Sequence, residues 1–259
     1  MVPAVSAWQW LALIVTAFVA GTIDSIVGGG GLIQLPGLLV ILPLQPTVAL
    51  LGTNKIASVW GTGSAAVIYN RRVRIDRREA AVMAGLAAIG SLGGAALASV
   101  VGSAQLKPIV LVALIAVFLY VLRRPMLGAH TAERLSPGAR RRVTAVAGAG
   151  IGFYDGFLGP GTGSFLVFLL VGVVGLDFLR ASATAKIVNA ATNLAAIAWF
   201  ASHGHVLFVI GLSMGAANAL GAQIGARVAI GRGAIWVRKV FLIIVCALIV
   251  KLGYDIIHS

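Results

Sequence analysis

The chain has 259 residues, of which 59% are hydrophobic and 10% charged, with 33 glycines and a mean hydropathy of +1.01. A soluble domain carries roughly a quarter charged residues, so a water-soluble enzyme is excluded first and a disordered chain second. The formal net charge of +13 comes mostly from arginines in short loops between apolar runs, a pattern of membrane topology rather than of nucleic-acid binding.

At about 20 residues per spanning helix, the length allows about ten apolar segments. The first, about 8–27, has no Lys or Arg before it, since the first basic residue is Lys55. A signal peptide needs a positive start, so this run is expected to be retained, with Trp8 and Trp10 as interface anchors. Segments follow at about 31–44, 47–69, 80–101 and 106–122. A second set lies at about 143–158, 161–175, 180–201, 206–230 and 234–256. Trp236 opens the last of these as a further candidate anchor, and the single cysteine, Cys246, reads as a small buried hydrophobe within it.

The two sets are copies. Asp24 recurs as Asp155, a separation of 131 residues. The same separation links Gly21 to Gly152, Gly28 to Gly159, Gly30 to Gly161, Thr53-Asn54-Lys55-Ile56 to Thr184-Ala185-Lys186-Ile187, and Gly90 and Gly94 to Gly221 and Gly225. The expected organisation is a first transmembrane repeat at 1–125, a cytoplasmic linker at 126–141 and a second repeat at 142–259. The second segment of each copy is too short to cross. It follows a glycine cluster, Gly28 to Gly31 in one copy and Gly159-Pro160-Gly161-Thr162-Gly163 in the other. Each cluster interrupts the helix and reads as the tip of a helical hairpin.

Charge orients the copies. The loop from Arg71 to Arg78 carries five arginines, whereas its counterpart Ser202-His203-Gly204-His205 has no Lys or Arg. The loop near 102–107 has only Lys107, whereas its counterpart holds Arg227, Arg232, Arg238 and Lys239. The positive-inside rule then puts equivalent loops on opposite sides, as in an inverted repeat. The expected fold is an all-α polytopic membrane protein of two inverted-topology repeats, each a Gly-broken helical hairpin plus three transmembrane helices. Five full spans per copy would satisfy the same parity. Both termini fall outside the cytoplasm.

Polar groups at membrane depth mark function. Lys55, Ser58 and Thr62 share one helical face, and Lys186, Asn189 and Asn193 form the matching face. Two buried ammonium groups beside hydroxyl and amide donors suit an anion. The alternative is that Lys55 and Lys186 pair with Asp24 and Asp155. Those carboxyls can also carry a proton or cap the hairpins. Gly29, Gly30 and Gly31, with Gly161, Thr162 and Gly163, would line the site through free backbone N–H groups; close helix packing is the competing reading. No nucleotide-binding motif is present, and no cofactor or metal is expected. His203 and His205 read as a solvated turn.

The Gly-rich hairpin followed by Thr53-Asn54-Lys55, and its recurrence before Ala183-Thr184-Ala185-Lys186 and Asn189, resembles the TauE/SafE sulfite exporter family over almost the whole chain. The resemblance implies export of small sulfur-containing anions, such as sulfite, sulfoacetate or related sulfonates, across the bacterial inner membrane. It also implies that Thr53, Lys55, Thr184 and Lys186 lie near the substrate. The resulting expectation is a secondary transporter working by alternating access, possessing no enzymatic activity. A passive anion channel is the alternative. An intramembrane aspartyl protease is disfavoured, because Asp24 follows Gly21-Thr22-Ile23 and not Gly-x-Gly. A small anion and the lipid bilayer are the expected partners. Homodimers are common among carriers, although no surface in the sequence specifies one.

Overall fold

The computed structural model describes residues 5–123 and 135–232, with 246, 249–250 and 253–254. Every regular element among them is helical. The first copy holds α1 (Ala7–Val27), α2 (Gly31–Ile41), α3 (Thr47–Arg72), α4 (Arg77–Val100) and α5 (Ser103–Arg123). The second holds α6 (Pro137–Phe157), α7 (Thr162–Leu169) with a π-helical turn at Leu170–Val174, α8 (Phe178–Ser202) and α9 (Phe208–Arg232). The segment expected at 234–256 lies almost wholly outside the described residues, as does the linker up to residue 134. Cys246 is exposed and not buried as expected.

Helix ends follow local chemistry more than hydropathy. α6 begins at Pro137 rather than 143, because Ser136 caps it by accepting from the N–H of Ala139. Asp76 caps α4 by accepting from the N–H groups of Arg78 and Glu79 at 3.0 Å. Asp177 caps α8, accepting from Arg180 N–H at 2.9 Å. Arg71 and Arg72 close α3, where cations meet the negative end of the helix dipole.

Among the described residues, three helices are long and apolar enough to cross a membrane by length and composition, within Ala7–Ile26, Arg77–Val100 and Phe208–Ile230. α3 and α8 have 26 and 25 residues, ample length, but their buried faces carry lysine and amide groups that lower their hydropathy. The short arms do not reach across. α2 has 11 residues, about 17 Å at 1.5 Å per residue, against a hydrocarbon core of about 30 Å. The outer surface is apolar, with Leu11, Val15, Ile89, Val112, Leu212 and Leu220 exposed. Water would not tolerate that face, and lipid would.

Between lipid-solvated helices the hydrophobic effect is weak, so close packing of small residues carries association. α4 lies on α6 through Gly148, Gly152 and Gly156, against Met83, Ala87 and Ser91, and through Gly90 and Gly94, against Ala149 and Phe153. The same seam recurs between α1 and α9, with Gly221 on Phe18 and Gly225 on Thr22. These contacts advance together along both chains, so each pair runs parallel. Each seam therefore joins a helix of one copy to a helix of the other.

α3 and α8 pack in reverse register. Gly52 abuts Phe200, Thr62 meets Asn193, and Tyr69 shares a buried cluster with Ala183. The pair Thr62 and Asn193 is separated by 131 residues, so equivalent positions of the two copies touch each other there.

Candidate functional site

The site is built where α3 and α8 cross and the two hairpin tips meet. Gly28 ends α1 at φ +80, and its carbonyl accepts from the N–H of Ser164 across the tips at 2.9 Å. A Cβ at Gly28 would overlap the backbone of Gly163 and Ser164, so only glycine permits both the left-handed turn and the approach. The second tip has a different shape. Gly159 and Gly161 both have positive φ, and the Tyr154 hydroxyl donates to the carbonyl of Pro160 at 2.6 Å.

Two ion pairs cross between the copies. Lys55 Nζ lies 2.9 Å from Asp155 Oδ1, and Lys186 Nζ lies 2.7 Å from Asp24 Oδ2. Both lysines, like Asp155, are 2% exposed, and Asp24 is 14% exposed. The pairing reading of the lysines therefore describes this conformation. Each buried ammonium is neutralised by a carboxylate of the other copy, not held for a guest alone. Such pairs gain little over apolar packing, while removing one partner strands a charge at high cost.

Around the pairs lies a cavity of about 20 Å³, room for about one water. Of the residues singled out in the sequence, Asp24, Gly30, Gly31, Asn54, Lys55, Ser58, Thr62, Asp155, Gly161, Thr162, Gly163, Asn189 and Asn193 border it. Lys186 stands behind Asp24 and touches it through the ion pair. Thr53 does not border the cavity: its hydroxyl donates to Ala49 O at 2.6 Å and accepts from Leu207 N–H at 2.9 Å, tying α3 to the start of α9. Thr184 and Gly29 are buried nearby, away from the lining. The helix starts are occupied too, since the amide of Ser164 is spent on the opposite tip.

Two polar residues escaped the sequence reading. Gln34 of α2 donates through Nε2 to Asn54 Oδ1 at 2.9 Å and to Ser58 Oγ at 3.2 Å. Asn218 of α9 donates to Gln34 Oε1 at 2.5 Å and borders the cavity. The signal was available, an amide inside each of two apolar runs, but their counterparts at the repeat separation are Phe165 and Ala87, so the repeat did not flag them. His203 is confined to its own turn, stacked on Trp199 at 4.2 Å.

A lipid-facing helical shell around a buried, charge-paired cavity, closed by two meeting hairpins, defines a polytopic membrane transporter. The family model for the sulfite exporter TauE/SafE matches residues 13–252, and the chain belongs to that family. It is 41% identical over 249 residues to the probable membrane transporter protein ORF9 of Sinorhizobium sp, covering 95% of this chain and 93% of that protein. It is 34% identical over 243 residues to the probable membrane transporter protein YfcA of Escherichia coli strain K12, covering 94% and 89%. A probable membrane transporter protein of Haemophilus influenzae is also 34% identical, covering 94% of each chain. No solved structure matches.

Proposed function

We propose that the protein is a secondary transporter that exports a small sulfur-containing anion, such as sulfite, sulfoacetate or a related sulfonate, by alternating access of two inverted repeats. The observation that carries this reading is the pair of buried lysines, each held by an aspartate of the opposite copy beside a central cavity. An anion can replace a carboxylate on a lysine without leaving a charge unpaired. The hydroxyl and amide groups of Ser58, Thr62, Asn189 and Asn193 supply donors for its oxygens. The cavity has room for about one water. Any larger guest therefore requires the hairpins to part, which suits a carrier whose halves rock around a fixed site.

Inversion is supported by the reverse register of α3 on α8 and by the placement of basic ends. Arg71 and Arg72 at the end of α3 share a cleft of about 340 Å³ with Arg227 of α9, flanked by Ile68 and Ile230. A basic face of this kind belongs on the cytoplasmic side. With the apolar run at 234–256 crossing as the sequence predicts, that orientation would leave both termini outside the cytoplasm, in a bacterial inner membrane.

Flux in proteoliposomes tests the function. Saturable uptake of sulfite or sulfoacetate, with counterflow, is the expected result, and Lys55→Ala is expected to abolish it. Large unitary currents would indicate a channel. Transport unchanged in both Lys55→Ala and Lys186→Ala would remove the anion from the lysines.

A further inference from the structure

The two ion pairs are related by the repeat but are not chemically equal. Asp24 is fully engaged: Oδ2 accepts from Lys186 and Oδ1 accepts from the N–H of Gly30 at 3.2 Å. Lys186 is engaged twice, because it also donates to the main-chain carbonyl of Asp24. Asp155 is engaged once. Its Oδ1 faces Lys55, while its Oδ2 is buried without a hydrogen-bond partner. Lys55 and Asp155 both border the cavity, whereas Lys186 does not.

The two hairpin tips differ in backbone. Pro160 stands where the first copy has Gly29. Gly161 then takes φ +82, where its counterpart Gly30 has φ −57. The turn that aims Gly30 N–H at Asp24 has no equivalent hydrogen bond to Asp155. A buried carboxylate oxygen without a donor is costly. The cost is relieved if that oxygen takes a proton and donates it to an acceptor, such as an oxygen of a docked anion.

We propose, building on the transporter reading above, that only the Lys55–Asp155 pair opens during transport, that Asp155 binds one proton when it opens, and that Lys186–Asp24 remains closed as a strut. In the closed state the pair is neutral. An anion on Lys55 must displace Asp155, which would leave a carboxylate and an anion side by side in a low-dielectric cavity. One proton from water, taken on Asp155 Oδ2, restores neutrality. The hydrogen bond from Lys55 Nζ–H to Oδ1 breaks in this step, and Lys55 stays an ammonium. One proton is therefore bound for each singly charged anion that docks, and a doubly charged one leaves the pair one charge negative.

Among the described residues, the charged and titratable groups around Asp155 are few. Lys55 of α3 faces it, Tyr154 precedes it on α6, and Asp24 with Lys186 of α8 lies across the cavity. The only acid that α4 brings to α6, Glu79, is paired with Arg140 at the far end of the helix. α7 contributes Thr162 to the lining and no acid or base.

Infrared difference spectroscopy of the purified protein, titrated with acid, reads the proton directly as the carbonyl stretch of a neutral carboxyl and needs no substrate. The expected band is lost in Asp155→Asn and kept in Asp24→Asn. In case an asparagine variant fails to fold, Asp155→Glu is expected to shift the band, while Asp24→Glu leaves it in place. A band that follows Asp24, or no titrating band at all, overturns the proposal. Methanesulfonate, whose own charge is constant over the range, is then added at fixed pH. Growth of the band supports coupling, and a band that belongs to Asp155 but ignores the anion overturns the coupling. Loss of flux alone, with the band intact, would count against the transporter reading instead.

Discussion

Asp24 and Lys186 pair where the lysine is almost wholly buried, and that sets what their substitution does. Asp24→Ala leaves the Lys186 ammonium buried and 2% exposed, a loss of about 3–5 kcal/mol for a stranded charge. The double change Asp24→Leu with Lys186→Met removes both charges and should recover most of that stability. Thermal melting in detergent compares the two, and a double variant no more stable than the single would reject the strut. Tyr69 offers a milder case. Its hydroxyl donates to the carbonyl of Ser25 at 2.8 Å, fastening α3 to the hairpin. Tyr69→Phe should cost about 1–3 kcal/mol, because a buried acceptor loses its donor, and the same melting assay checks it.

Between elements, the glycine seams divide into positions where a side chain fits and positions where it cannot. A Cβ at Gly221 would overlap the carbonyl of Phe18, and one at Gly90 the carbonyl of Ala149. Gly221→Ala and Gly90→Ala should therefore part α1 from α9 and α4 from α6, costing about 1–3 kcal/mol each. Gly63, on α3, has nothing within 4 Å of the added Cβ. There Gly63→Ala should stabilise by up to about 1 kcal/mol, since alanine restricts the unfolded chain and favours helix. Melting temperatures that fall equally in all three variants would mean that the seams are not what hold the copies together.

At the scale of the molecule, the fold is two copies that complete each other. Each buried lysine finds its carboxylate in the other half, and each Gly seam joins one half to the other. The inverted orientation proposed for them is open to direct measurement. With Cys246→Ser as background, Arg74→Cys should react with a membrane-impermeant thiol reagent only from the cytoplasmic side. Ser202→Cys should react only from the opposite side. Both residues are exposed in their turns. Labelling of both from one side would reject the inversion.

Membrane residence and the apolar segments up to residue 232 were legible in the sequence, because lipid demands long apolar runs, and the 131-residue spacing was legible because glycines and charges recur at a constant separation. Helix boundaries were legible to within a few residues, except where caps such as Ser136 carried a helix past its apolar run. Thr53 looked like a site residue close to Lys55, but two residues of helix are about 200° of rotation, enough to turn its hydroxyl toward Leu207 and away from the cavity. Gln34 and Asn218 stayed hidden because their counterparts, Phe165 and Ala87, are apolar. Which lysine pairs with which aspartate, and which carboxylate oxygen is left alone, depends on distances between segments more than a hundred residues apart. Spacing along a chain says what recurs. Only the packing of the two copies against each other decides what each recurring group touches.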